Sequence, residues 1–549
     1  MKTQDDFSGY VGELLEGHYD CVDRVVIKGY FRWGQQGGGM RHWWRLLRGS
    51  DEGLNGGTFR DMAGTFSRRL RAYTERHKIP LIRCSDTGKK PFELAAEYEP
   101  KDRKKKGLYL VLITRAPALV WDVKICKTGA PHLERRKPWP YVQHYHFHIQ
   151  DPQWGHVMIR MSGYPPYGVH VTFNGHNWVE CQAQRRKLGV QKVENCFVGG
   201  PMTRLNRLAA KVGSPKVLGE LGEVINRWVY SSCLCFGLTT EEQERSGFRY
   251  DYSCAQLEYS RNLIFKSPHQ LDQVYQGLID RTAKTLDVAK LKTIFGRRNR
   301  PHQKRGGGKQ LERILDRSHW DLTVFKLHFG RLTLKMYDKG HRVLRVEAIA
   351  YNVKDLKCGK RIEKLLAMLE KLQLMVVNFL NTVQAAHIGF LDEGALDKLP
   401  EPTQRGKTRL AGVDMQKPRI RAVLEAVLSL AASPNGFTSA MLAQTVRSRR
   451  RKRIVGFTPR QAAYDLRKLR GKGLVERLGT SRRYQVVSAA FSTVAALLII
   501  REKVLKPVLA GAAKPRRGPR PKSMTPLDIH YLNIQREMLK TLATLGIAA

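Results

Sequence analysis

Between Lys417 and Val487 the apolar residues change their period twice, which leaves few folds open to that stretch. The run KPRIRAVLEAVLSLAA repeats apolar side chains at i, i+3, i+4 and i+7, the mark of a one-sided helix. SPNGFTSAMLAQTV then reads as a turn and a second helix, with Thr438 placed to cap it. After a basic loop, TPRQAAYDLRKLRGKGLV predicts a third helix, capped by Thr458 and opened by Pro459, whose missing N–H is harmless in a first turn. Gly471 and Gly473 end that helix. VERLGTSRRYQVV predicts a hairpin that turns at Gly479 and Thr480.

Three helices followed by a hairpin make the winged helix-turn-helix pattern. On the third helix Arg460, Tyr464, Arg467, Lys468 and Arg470 alternate with Ala462, Ala463, Leu466 and Leu469. One face can therefore pack on the domain while the other enters a major groove. Arg482 and Arg483 fall near the hairpin tip, where a wing touches phosphate or the minor groove. The loop residues Arg447, Arg449, Arg450, Arg451, Lys452 and Arg453 add a phosphate clamp. From residue 401 onward thirty basic side chains stand against eight acidic ones, a surplus of 22. A winged helix can also serve as a protein-docking module, but such a one-sided charge favours duplex DNA.

The surplus extends to the whole chain, where 96 Lys and Arg face 49 Asp and Glu for a net charge of +47. A compact fold with that charge repels itself unless a polyanion neutralises it, and phosphate backbones do so by releasing counterions. With 42% hydrophobic residues the chain can also build several packed cores, unlike a disordered basic tail. The acidic opening MKTQDDFSGYVGELLEG does not look like a signal peptide, and the apolar stretch Ala489 to Ile500 is too short to span a bilayer. Nine cysteines lack the even spacing of a disulfide framework, and the pair Cys233 and Cys235 has no second pair of zinc-site spacing. These features predict a cytoplasmic, nucleoid-associated protein with no membrane partner. No GxxxxGK[ST] loop is present, so no nucleotide cofactor is expected.

The fold class expected is α+β and multidomain: a β-rich central core, a helical strut and a C-terminal winged helix. Residues 1–130 form a mixed α/β region. Residues 131–350 form the β-rich nucleic-acid-binding core, with YVQHYHFHIQ and HVMIRMS joined through DPQWG as a hairpin. Residues 351–405 carry the strut, whose Met and Leu stripe reads as core packing. Residues 406–505 hold the winged helix, and 506–549 a basic arm (AAKPRRGPRPKS) and a last helix.

The core carries one constellation with chemical meaning. In His144-Tyr145-His146-Phe147-His148 a strand puts all three histidines on one face and both aromatics on the other. Imidazoles so spaced can chelate a divalent ion, with a carboxylate completing the shell. The run resembles the His-hydrophobe-His strand of rolling-circle initiators, relaxases and related transposases. That resemblance implies a Mg²⁺ or Mn²⁺ ion on His144, His146 and His148, polarising a phosphate for attack by a tyrosine on a nearby helix. KMYDKGHRVLRVEAI resembles the Y-D-K then L-R-x-E strand pair of plasmid and filamentous-phage replication proteins, with Glu347 beside Tyr337 and Lys339. Tyr337, Tyr259 and Glu347 are the catalytic candidates, Tyr252 and Tyr259 being read as helical. A broader similarity runs from HFHIQDPQWG through LEYSRNLIFKSP to KMYDKGHRVLRVEAI. It links the chain to a large group of bacterial proteins often found near mobile elements.

The expected function is that of a mobile-element or plasmid DNA-binding protein, an initiator or recombinase, nicking one strand with a metal. The alternative is a non-catalytic scaffold or transcriptional regulator on an origin or a structured RNA. For it speak the aromatic and basic residues mixed through the first half: His42, Trp43, Trp44, Arg45, Trp139, Tyr141, Tyr145, Trp154, Tyr164 and Tyr167. Such a mixture suits stacking on unpaired bases of single-stranded DNA or RNA, and ordinary core packing is the competing account for most of them.

Overall fold

A computed structural model describes residues 5–100, 106–127, 129–275, 325–329, 331–387, 398–405, 408–448 and 456–487, with scattered positions beyond 497. The chain opens with α1 (Asp6–Tyr10), β1 (Leu15–Phe31), α2 (Gly37–Arg48), α3 (Thr58–Arg76), β2 (Leu81–Arg83), α4 (Pro91–Glu97) and β3 (Gly107–Pro117). A small hairpin, β4 (Trp121–Ile125) and β5 (Pro131–Arg135), precedes β6 (Tyr141–Asp151), β7 (Gly155–Ser162), β8 (Val169–Asn174) and α5 (Gly175–Arg185). Then come β9 (Gln191–Val193), β10 (Cys196–Gly199), α6 (Met202–Ala210), α7 (Pro215–Ser232), α8 (Thr240–Arg245) and β11 (Tyr250–Phe265). β12 (Phe325–Phe329), β13 (Leu332–Asp338), β14 (Val343–Ala350) and α9 (Leu365–His387) complete the larger body. The C-terminal part holds β15 (Thr403–Arg405), β16 (Thr408–Leu410), α10 (Pro418–Leu430), α11 (Ser439–Ser448), α12 (Pro459–Gly471), β17 (Val475–Arg477) and β18 (Tyr484–Val486).

The fold is mixed α/β around one large sheet. Ten strands lie in the order β12-β13-β14-β11-β1-β8-β7-β6-β3-β2, every neighbouring pair antiparallel except β2 beside β3. β1 and β11 form the spine, paired from Leu15–Phe265 to Phe31–Tyr250. The sheet takes strands from both sides of residue 130, and its first strand lies at its middle. The DPQWG turn joins β6 to β7, where the Asp151 carboxylate accepts from the backbone N–H groups of Gln153 and Trp154, 2.8 Å each.

Strand alternation sorts side chains between the two faces. Tyr145, Phe147 and Ile149 on β6, Val157, Ile159 and Met161 on β7, and Val169, Val171 and Phe173 on β8 are all buried. Phe66 of α3 stacks on Tyr145 at 5.0 Å, and Phe236 lies parallel to Phe147 at 6.0 Å. α9 packs against β11 and β14 through Leu365, Met368, Leu372, Met375, Val376 and Leu380, as its Met and Leu stripe predicted. Trp43, Trp44, Tyr145, Trp154 and Tyr167 are core residues, while Trp139 and Tyr141 remain exposed. Large aromatics gain more by leaving water than by awaiting a base.

The segment YDYSCAQLEYSRN, read as helical from its sequence, is the strand β11. Long-range pairing with β1 on one side and β14 on the other overrides the local reading. Cys21, Cys196, Cys233 and Cys254 are buried thiols outside any disulfide. No helix among the described residues is long and apolar enough to cross a membrane.

The C-terminal helices have their own core, with Val423, Leu424, Val427, Phe437, Leu442, Val446, Leu466 and Leu469 meeting Val475 and Tyr484. Phe437 pairs by its backbone with Tyr484, adding a third short strand position to the β17–β18 hairpin. This part touches the larger body where Lys371 donates to the Asn435 side-chain oxygen (2.6 Å) and Asn435 donates to the Asp355 carbonyl (3.1 Å).

Candidate nucleic-acid interface

The helix ends are fixed as the sequence predicts. The Thr458 hydroxyl accepts from Gln461 N, and the Gln461 side chain accepts from Thr458 N, a reciprocal cap worth about 1 kcal/mol. Thr438 accepts from Met441 N at the start of α11. Gly473 follows α12 at φ +68°, a conformation that a side chain would strain.

So held, α12 turns Ala462, Leu466 and Leu469 inward and leaves Arg460, Tyr464 and Arg467 exposed on the outer face, with Arg470 partly exposed. Lys468 departs from expectation: it is only 8% exposed. Its ammonium sits 5.0 Å over the Tyr464 ring, and burial lowers its pKa. One turn of helix carries it toward buried Asp465, which Arg419 pairs at 3.0 Å, so Lys468 belongs to the packing of the helix. Arg483 is likewise engaged, donating to the carbonyls of Asn435 and Gly436 at 3.0 Å each, which ties the hairpin to the α10–α11 turn. Arg482 is exposed at the hairpin end. Arg447 donates to the Phe457 carbonyl, just before α12. Arg449, Arg450, Arg451, Lys452 and Arg453 lie outside the described residues.

On the sheet, His144, His146 and His148 share the face opposite the helix-covered core, as alternation required. They are engaged one by one. His144 Nδ1 lies 3.3 Å from the Val142 carbonyl, His146 Nε2 lies 2.9 Å from the Thr114 hydroxyl, and His148 Nδ1 lies 3.0 Å from His156 Nε2. Burial lowers all three; the charge of Arg160 helps hold His146 at about 4, and His156 helps hold His148 at about 3. Among the described residues no group of three or more His, Cys, Asp or Glu is placed to hold a metal ion. His146 and His148 would be the ligands of a divalent ion there, which would supply charge neutralisation at a phosphate.

Tyr259 and Tyr337 both sit on strands. The Tyr259 hydroxyl donates to Asp20 and the Tyr337 hydroxyl to Glu347, at 2.8 and 2.7 Å. Burial raises both phenols, and the neighbouring carboxylates raise them further, which opposes forming a nucleophilic phenolate. Glu347 also accepts from Arg345 Nε at 2.7 Å, with Lys335 Nζ at 3.9 Å. Lys339, expected beside Glu347, pairs instead with Glu194 at 2.6 Å.

Glu347 belongs to a buried charge network that sequence alone does not reveal. β8 ends against Arg24 while β1 runs on, and α5 begins at that point. A Cβ on Gly175 would run into the Val22 carbonyl oxygen, so only glycine lets α5 approach closely enough to seat His176 beside Asp23. His176 Nδ1 lies 2.7 Å from one Asp23 oxygen and Arg345 donates to the other at 2.6 Å. Burial pushes the Asp23 carboxyl up, but Arg345 and His176 more than offset that and hold it at about 2. Nearby Glu258 is pushed up to about 7 by burial and by the charges of Asp23 and Glu347.

No protein-family model, no curated protein and no solved structure matches the chain.

Proposed function

We propose that this chain is a nucleic-acid-binding protein of a mobile element or plasmid, holding duplex DNA on a C-terminal winged helix as an initiator or recombinase does. One observation carries the reading. Arg460, Tyr464 and Arg467 stand together on the solvent face of a doubly capped helix whose opposite face is core. Three helices, a β17–β18 hairpin and the Phe437–Tyr484 bridge support the winged-helix assignment. The test is double replacement of Arg460 and Arg467 by Ala, read by fluorescence anisotropy on duplex DNA over a salt series. At least a tenfold loss and a salt slope flatter by about two are expected, since each Arg releases about one counterion. An unchanged slope and affinity would remove α12 from the interface.

The second reading adds metal-dependent strand nicking, favoured by the three histidines on one sheet face. Against it stand the two engaged tyrosines, which favour the alternative of a non-catalytic scaffold. Labelled single-stranded and duplex DNA with Mg²⁺, Mn²⁺ or chelator decides between them. Metal-dependent cleavage that is lost in H146A/H148A while binding persists establishes nicking, and absence of cleavage with every metal leaves the scaffold.

A further inference from the structure

One face of the sheet carries a row in which two cations, Arg160 and Lys28, alternate with the neutral imidazoles of His146 and His170. His146 pairs across strands with Arg160, Arg160 with His170, and His170 with Lys28. Cross-strand partners point to the same face, so four adjacent strands present guanidinium, ammonium and two imidazoles in line. Arg160 is half-buried, and among the described residues its guanidinium meets His170 Nδ1 at 3.3 Å. Among the described residues no carboxylate pairs with Arg160 or Lys28. Burial alone lowers the Arg160 pKa, with no acid raising it.

Among the described residues, three carboxylates on this face are engaged elsewhere. Asp251 pairs with Arg32 at 2.8 Å, Glu347 with Arg345, and Glu258 accepts from Gln256 at 2.6 Å. Lys28 also adjoins Lys360, whose backbone carbonyl accepts from Cys254 N, so the row continues past β1 toward β11. At ~4.8 Å per strand, the cations from Arg160 on β7 to Lys360 beside β11 span about 14 Å. A guanidinium taken out of water without a partner costs stability, and folded proteins pair such groups or reserve them for a ligand.

We propose that this row is a phosphate track for an unpaired nucleic-acid strand, with Arg160 gripping one backbone phosphate and Lys28 the next. The proposal rests on the nucleic-acid reading above but assigns a second surface, distinct from α12. A single strand fits better than a duplex, because the Arg160 guanidinium is recessed on a sheet face where a flexible backbone can reach it. The length of the row argues for an extended polyanion over a lone small anion.

The full chain is titrated with a short fluorescent oligothymidylate, as wild type and as the variants Arg160→Gln, Lys28→Gln and R460A/R467A. Arg160→Gln is expected to weaken oligothymidylate binding about tenfold and to flatten its salt slope by about one, with duplex affinity unchanged. Lys28 is exposed, so Lys28→Gln tests the track without risk to folding; a loss of several-fold is expected. R460A/R467A should show the reverse, losing duplex and keeping single strand. Thermal unfolding supplies an independent readout: Arg160→Gln should raise Tm by about 2 °C, because a half-buried charge with no paired carboxylate among the described residues is removed. Single-strand binding that is unchanged in both Arg160→Gln and Lys28→Gln overturns the track. A fall in Tm on Arg160→Gln, with Lys28→Gln binding normally, does the same and makes Arg160 structural. Equal displacement of the oligonucleotide by polyglutamate also overturns it in favour of a general polyanion surface. Failure of wild type to bind either nucleic acid sinks the parent reading instead.

Discussion

The two faces of the central sheet show how one set of strands can be asked for opposite things. On one face Tyr145, Phe147, Ile159, Val171 and Ile27 disappear beneath helices, and each methylene buried there stabilises the fold. On the other face, charges are held in two different ways. Around Asp23 they are matched: Arg345, His176 and Glu347 close a buried network in which each ion has its counterpart. Around Arg160 they are unmatched: its cross-strand neighbours are the imidazoles of His146 and His170, and no carboxylate pairs with it among the described residues. Matched charge builds structure, while unmatched charge costs stability and is kept for something outside the chain.

The largest effect should come from the matched region. Arg345→Met leaves Asp23 and Glu347 buried without their cation, and a loss of about 3–5 kcal/mol in urea unfolding is expected. A loss below 1 kcal/mol would erase the contrast between the two regions.

Acid should act on the unmatched region first. His146, His148 and His170 are lowered chiefly by burial, to about 4, 3 and 3, and so are neutral in the folded state at pH 7. Unfolding frees them to take up protons below their ordinary value near 6.5. Stability from these groups is therefore full above pH 6.5 and declines as pH falls toward 4. The carboxylate of Asp23, held at about 2, contributes its stability above pH 4 and loses it only as pH drops through that lower window. Urea midpoints measured from pH 8 to pH 3 should show the histidine limb first, and H146Q/H170Q should flatten it. A pH-independent midpoint down to pH 4 would show that these imidazoles are not buried as described.

Smaller effects separate framework from contact surface within the C-terminal part. Thr458→Ala removes the α12 cap and should cost about 1 kcal/mol, with weaker duplex binding only through fraying. Least of all should happen to DNA binding on Lys468→Met, because that side chain is buried over Tyr464. A salt slope flattened by about one in Lys468→Met would return Lys468 to the interface.

How far the sequence could be read differs between the parts for a physical reason. Local rules governed Thr438, Thr458, Pro459 and Gly473, since caps and turns are satisfied within a few residues, and the structure carries them as read. Alternation alone put the three histidines on one face. The helical reading of Tyr252 and Tyr259 failed because a strand's identity depends on partners hundreds of residues away. Lys468 and Arg483 looked like contacts since their charge is visible in sequence, whereas the Asp465, Asn435 and Gly436 groups near them are set by packing.

By itself the sequence determined the positive surplus, the strand that shares its histidines, and the helix and hairpin order of the C-terminal part, because charge count and periodicity are properties of the chain alone. Only the tertiary structure decided that β1 pairs with β11, that Gly175 seats His176 against Asp23, and that Arg160 faces the imidazoles of His146 and His170. Those facts depend on register between distant strands, and a single-residue slip would send each of these side chains to the other face.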